Sequence, residues 1–246
     1  MAVAHFGLVR RQAHVSPTSL KSMSMIDLTT RRWTMIGIAV ALFGMPLVLG
    51  VFSAFRVPLI TQNILIREII LFALAAAVLL IIKRKEHLDW DSVGLQRPAV
   101  GTTALWVLIT FGGVLLAGAL AFGVIKFFNL PVGSSDSGAY DVLPTWLLLL
   151  VIVRAGFLEE FFYRGYAIER LRSLTGNRIL SVGIPLFVFA VSHYRQGLAG
   201  ITIALLTGAV LTGVYLYKRN LWITITVHFL ADFIPNIVVP LFVTPK

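Results

Sequence analysis

Cysteine is absent from the 246-residue chain, which excludes disulfides, thiolate-bound zinc, iron–sulfur clusters and cysteine nucleophiles. Any catalysis must therefore depend on carboxylate, imidazole or hydroxyl groups. Charged residues are scarce too: they make up 13% of the chain, about half the share found in soluble domains, whereas 58% of residues are hydrophobic. With a mean hydropathy of +0.88, the chain has too little polar surface to cover a soluble globule. The composition predicts an integral membrane protein.

Long apolar segments predict about seven membrane-spanning helices. A helix needs about 20 apolar residues to cross the hydrocarbon layer. Three segments reach that length without Asp, Glu, Lys or Arg, and four more are apolar but interrupted by ionisable residues. In chain order the seven are 33–55, 63–82, 98–125, 144–168, 179–196, 196–217 and 221–243. The sequence therefore predicts an all-α polytopic helix bundle over residues 33–246, preceded by a polar, basic tail at residues 1–32.

The tail contains a single acidic residue and several Arg and Ser residues. This composition is typical of a disordered tail, which we favour, or of a transit-like leader. A start site placed too far upstream is a third interpretation, because Met23 and Met25 stand just ahead of the first predicted span.

Basic residues divide unequally between the two sides that seven spans would create. Fifteen Lys and Arg residues fall on the side of the amino terminus and five on the other. Because cytoplasmic loops carry the excess of Lys and Arg, we predict a bacterial cytoplasmic membrane protein with its amino terminus in the cytoplasm. Basic loops facing anionic membrane lipid also account for the net charge of +10, so nucleic acid is not predicted as a partner.

Six of the ionisable residues inside predicted spans are candidates for one site, and each must face protein or a water-filled cavity. They are Glu159, Glu160, Arg164, His193, His228 and Asp232. Gly176 marks a hairpin turn, and Glu159 and His193 each stand 17 residues from it. At ~1.5 Å per residue, antiparallel packing brings both to one level, about 25 Å from the turn. His228 follows about two turns into the last span and can share this level, so we expect one cluster, opening toward the cytoplasm.

Helical spacing assigns a partner to one of the two adjacent glutamates. Glu160 and Arg164 stand at i,i+4 and form the expected ion pair, which leaves Glu159 for chemistry. Arg154 is expected to make an ion pair inside the protein rather than to anchor a substrate carboxylate.

The same spacing recurs on two other predicted helices. Phe189 and His193 stand at i,i+4, where we expect an aromatic ring packed beside the imidazole. His228 and Asp232 repeat the spacing and place a carboxylate beside an imidazole. Such a carboxylate can orient the ring or bind a metal with it.

A cluster of this composition supports two kinds of hydrolytic chemistry. A glutamate beside a histidine can deprotonate a water that attacks an amide carbonyl. Alternatively, a divalent metal such as zinc can activate the same water, with ligands drawn from Glu159, His193, His228 and Asp232. Both predict a protease acting on a peptide or a membrane protein. The alternatives are a non-catalytic immunity or scaffold protein and an ion- or proton-coupled transporter, for which no repeated interrupted helices are apparent.

Three motifs follow one another on three separate apolar segments. Residues 159–164 fit EExxxR, residues 189–193 fit FxxxH, and residues 228–232 fit HxxxD. Together they resemble the CPBP family of intramembrane proteases, also called the Abi family, which includes the CAAX prenyl proteases. The resemblance covers about residues 85–240.

This resemblance implies roles for four residues. Glu159 and His193 would activate the water, and His228 with Asp232 would complete the site. The prenyl proteases usually carry Asn at the last position, which can donate a hydrogen bond to an oxyanion. Asp232 can donate only when protonated, and as an ionised group it would instead serve as a metal ligand. The expected enzyme is therefore an endopeptidase of the glutamate type or a metal-dependent one.

Overall fold

The computed structural model describes residues 29–97, 99–133 and 143–243, and within them the regular structure is helical apart from one isolated β-bridge. These residues form seven helices. Their bounds are α1 Thr29–Ala54, α2 Thr61–Lys85, α3 Val100–Phe128, α4 145–175, α5 Arg178–Val191, α6 Gly197–Lys218 and α7 Leu221–Phe242. Four of them (α1, α2, α4 and α7) contain a π-helical segment. The predicted all-α bundle is confirmed.

Five helices, α1, α2, α3, α6 and α7, are long and apolar enough to cross a membrane. Helix α4 carries the charged cluster, and α5 has only 14 residues. The chain is therefore a polytopic membrane protein, while membrane crossing by α4 and α5, and so the count of seven, stays a prediction.

Two helix ends differ from their predicted positions. Helix α1 begins at Thr29, so the last four residues of the predicted tail are helical, and residues 1–28 lie outside the described residues. Helix α5 ends at Val191, and Tyr194–Gln196 form a separate 3-10 turn. His193 therefore lies in the loop after α5, not inside a helix, because apolar composition continues beyond the point where the backbone turns.

The predicted turn between α4 and α5 is confirmed. Gly176 has a φ of +63°, a left-handed conformation that glycine adopts without strain. The next residue, Asn177, caps α5, since its side-chain oxygen accepts hydrogen bonds from the backbone N–H groups of Ile179 and Leu180. This turn makes α4 and α5 an antiparallel pair.

Helix α4 is the centre of the bundle and contacts α1, α2, α5 and α7. Its π-helical segment Glu160–Ile168 is buried along its whole length. Phe161, Phe162 and Tyr163 join the main core with side chains from α1, α2 and α5. The helix that carries the EExxxR motif is thus fixed from several sides.

Lysine and aromatic side chains stack at the end of the bundle where α1 begins. The pairs are Lys83 over Trp90 at 4.6 Å, Lys85 over Trp33 at 4.8 Å and Lys218 over Trp106 at 4.1 Å. Tryptophan and basic residues are enriched at membrane–water interfaces. We call this the basic end of the bundle; it also holds Gly176.

Candidate active site

A cavity of about 580 Å³ lies among α1, α4, α7 and the loop after α5. The structure brings all four predicted catalytic side chains to its wall: Glu159, His193, His228 and Asp232. Antiparallel packing of α4 and α5 places the first two together, and α7 supplies the others.

Glu160 lies beneath the cavity and is fully buried. Its Oε1 accepts hydrogen bonds from Arg164 Nη1 at 2.9 Å and from His228 Nδ1 at 2.8 Å. The predicted pair of Glu160 with Arg164 is therefore confirmed. Because Glu160 is held by these two groups and does not line the cavity, Glu159 is the glutamate that faces it.

The Arg164 side chain packs against α6. Its Nη2 donates to the Gly208 carbonyl at 3.2 Å, and its guanidinium lies 4.1 Å from the centre of the Phe189 ring. A Cβ on Gly208 would lie 2.8 Å from that ring and 3.0 Å from Arg164 Nη2. Only glycine leaves room for the arginine here.

His193 has its ring fixed by the backbone. Nδ1 lies 2.8 Å from the Phe189 carbonyl oxygen, which can only accept, so Nδ1 carries the hydrogen. Nε2 is left for the cavity. The Phe189 ring is buried and meets the imidazole edge-on at 5.0 Å, which confirms the predicted aromatic packing.

The orientation of His228 differs from the prediction. Asp232 was the expected partner, but its Oδ2 lies 3.7 Å from Nε2, too far for a hydrogen bond. Glu160 holds the ring instead, through Nδ1. The two residues stand 68 positions apart in the chain and lie on different helices. Residue spacing within one helix therefore cannot predict their contact.

The two carboxylate oxygens of Glu159 lie near two different side chains, Arg154 and His228. Oε1 lies 3.7 Å from Arg154 Nη1, and Oε2 lies 3.9 Å from His228 Nε2. Arg154 in turn donates from Nε to Glu68 Oε2 at 2.7 Å, which confirms the interior ion pair expected for this arginine. Glu68 was not predicted as part of the site. The available signal was its position, with Arg67, inside an otherwise apolar span.

The cavity reaches the surface at the end opposite Gly176. The α1–α2 loop contributes Arg56 and Val57 to its wall, and the loop after α5 contributes Gln196. Toward the basic end it is closed by the buried segment Glu160–Ile168. The cavity therefore does not open at the basic end, and the predicted opening toward the cytoplasm stays a prediction because the membrane orientation of the bundle is not tested. A depth of about 25 Å from the turn is most of the ~30 Å hydrocarbon layer, so the shorter route to water leads the other way.

Metal binding finds no support in the side-chain arrangement. Among the described residues, no group of three His, Asp or Glu side chains converges as a metal site needs. The four cavity residues as placed do not fit the metal alternative.

Comparison with known proteins identifies a family over part of the chain. Residues 141–234 match the family described as type II CAAX prenyl endopeptidase Rce1-like. No curated protein and no solved structure matches the chain significantly. The match includes all three motifs and helices α4 to α6 with most of α7, while α1, α2 and α3 lie outside it. Residues 141–234 are therefore similar to the CAAX-type prenyl endopeptidases, in agreement with the resemblance that the three motifs show.

Proposed function

We propose that this protease hydrolyses a peptide bond with a water molecule activated by Glu159 and His193. One observation carries the proposal: both residues, with His228 and Asp232, face a single cavity, whereas Glu160 is buried and paired beneath it. A network that served packing alone would be expected to bury and pair every charge, because an unpaired ionisable group at membrane depth is costly.

Glu159 is the proposed general base. Its carboxylate accepts a proton from water as the water oxygen attacks the peptide carbonyl carbon, and the same proton later passes to the leaving amine. Arg154 Nη1 lies 3.7 Å from Oε1, so a fixed positive charge stands beside the proposed base. His193 supports this step, since its Nε2 lone pair can accept the second hydrogen of the water and hold the oxygen toward the substrate.

His228 and Asp232 are proposed to stabilise the tetrahedral intermediate. With Nδ1 committed to Glu160, His228 can offer only Nε2 to the cavity, and a protonated Nε2 donates to an oxyanion. Asp232 can add a second hydrogen bond only in its protonated form. We assign no step to a metal, because the donor groups do not converge.

Membrane orientation bears on the substrate. The charge asymmetry supports a cytoplasmic amino terminus, and the cavity opens at the opposite end of the bundle. In that orientation the site receives peptides or membrane proteins from the non-cytoplasmic side. We therefore propose a peptide or membrane-protein substrate in a bacterial cytoplasmic membrane, rather than a prenylated CAAX protein made in the cytoplasm.

The test is cleavage by the purified protein in detergent. Two quenched fluorogenic peptide sets serve as probes: a random-sequence library and peptides ending in a farnesylated CAAX sequence. We expect turnover by the parent and a loss of about 10²–10⁴-fold in Glu159→Gln, which removes the base and keeps the volume. Glu169→Gln is the matched control on the same helix, because Glu169 pairs with Arg219 away from the cavity. Full activity in Glu159→Gln would contradict the glutamate mechanism.

A further inference from the structure

We infer that Arg154 and Glu68 are positioning residues for Glu159, so that α2, which lies outside the matched residues 141–234, forms part of the working site. The inference rests on the proposed role of Glu159 as the base.

One edge of the Arg154 guanidinium is bound by Glu68, and the other edge faces Glu159. Its Nε donates to Glu68 Oε2 at 2.7 Å, and its Nη1 lies 3.7 Å from Glu159 Oε1. The arginine and Glu68 side chains are 5% and 2% exposed, so water cannot replace either contact cheaply. Arg154 therefore links a fixed carboxylate on α2 to the carboxylate at the cavity wall.

Glu68 is itself fixed by a second arginine. Arg67 donates from both Nε and Nη2 to Oε1 of Glu68, at 3.1 and 2.9 Å. Both carboxylate oxygens of Glu68 are thus engaged, one by each arginine. Two buried arginines and one buried glutamate leave one positive charge, which Glu159 compensates.

Glu159 has several polar neighbours besides Arg154, whose guanidinium carries a permanent positive charge. His228 and Asp232 face it from α7, and Tyr163 approaches from its own helix, while His193 and Arg67 line the same cavity. With Oε1 drawn to Arg154, Oε2 is the oxygen directed toward His228. Arg154 thus selects the carboxylate rotamer that presents Oε2 to a bound water.

A purely structural role, joining α2 to α4, needs only the contact between Arg154 and Glu68. The other end of α4 supplies a comparison, because Arg170 Nε pairs there with Glu86 Oε2 at 2.8 Å in the same geometry and with similar burial. That pair stands at the basic end, away from the cavity. The two pairs are therefore matched in structure and differ in their proximity to Glu159.

The experiment compares Arg154→Gln with Arg170→Gln, measuring kcat, KM and thermal stability in detergent with the best library peptide. Both variants should lose heat stability. We expect kcat to fall about 10–100-fold in Arg154→Gln alone, as for other residues that orient a reacting group, with KM changed less than about threefold. Arg154→Lys should recover part of kcat, because an ammonium restores the charge but cannot reach both carboxylates as the guanidinium does.

If Arg154→Gln has the kcat of the parent, or if only its KM rises, the positioning role is overturned. The Arg154–Glu68 pair would then have a structural role only. If Arg154→Gln does not fold, Arg154→Lys decides: a folded variant with parental kcat overturns the inference, and a reduced kcat at unchanged KM supports it. Activity in Glu159→Gln would instead refute the proposed function, whatever Arg154 does, so the two failures are distinguishable.

Discussion

Glu160→Gln should destabilise the protein severely while leaving the geometry of the site in place. The Glu160 and Arg164 side chains are 0% and 1% exposed, so the substitution leaves a buried guanidinium without a compensating negative charge; its other partners, the Thr212 hydroxyl and the Gly208 carbonyl, are neutral. Removing one member of a buried ion pair costs roughly 3–5 kcal/mol. In a protein of this size that corresponds to a fall of about 10 °C in Tm.

The same substitution tests protein stability separately from the orientation of the His228 imidazole. A glutamine at position 160 keeps a carbonyl oxygen that can accept the hydrogen on His228 Nδ1, so surviving folded protein should retain measurable turnover. The double variant Glu160→Gln with Arg164→Met removes both charges and should be more stable than Glu160→Gln alone. Glu169→Gln is the control, since its partner Arg219 is 48% exposed and such pairs contribute about 1 kcal/mol or less.

The assay is heat stability of detergent-purified protein, followed by intrinsic fluorescence and by the monodisperse fraction after heating. A Glu160→Gln variant as heat-stable as the parent would refute the claim that this pair carries a buried charge. A double variant less stable than both single variants would show that the cost lies in lost packing rather than in an uncompensated arginine.

Asp232→Asn should keep activity and extend it to higher pH if Asp232 is an oxyanion donor, because an amide donates at any pH; an inactive variant restored by added zinc would refute this role. Gly208→Ala should lower Tm, since its Cβ would lie 2.8 Å from the Phe189 ring, and a parental melting curve would contradict the described packing of Arg164. Reporter fusions should place the amino terminus in the cytoplasm and the carboxy terminus outside, and both ends on one side would refute the seven-span arrangement.

Contacts within one helix were the part of the site that spacing could predict. Glu160 and Arg164 are i,i+4 neighbours whichever way the helix is rotated in the bundle, and their ion pair follows directly. The level shared by Glu159 and His193 was also predictable, because a hairpin turn at Gly176 equates positions equally far from it along α4 and α5.

Contacts between helices could not be predicted from residue spacing along the chain. Glu160 reaches His228 and Arg154 reaches Glu68 because of how far each helix is rotated about its own axis, and apolar composition on all sides does not reveal this rotation. The direction in which the cavity opens follows from the same packing. Helix α4 buries its π-helical segment against α1, α5 and α7, and this buried segment lies between the cavity and the basic end.

The closed floor of the cavity has a consequence for the membrane itself. A protease that admits water to membrane depth must still preserve the ion and proton gradients across the bilayer. The fully buried side chains of Phe161, Phe162 and Tyr166 stand between the proposed catalytic groups and the basic end, together with the buried Glu160–Arg164 ion pair. In the proposed mechanism, the water beside Glu159 is separated from the basic end by this layer. If the proposed reaction takes place here, substrate and both cleavage products use the same opening.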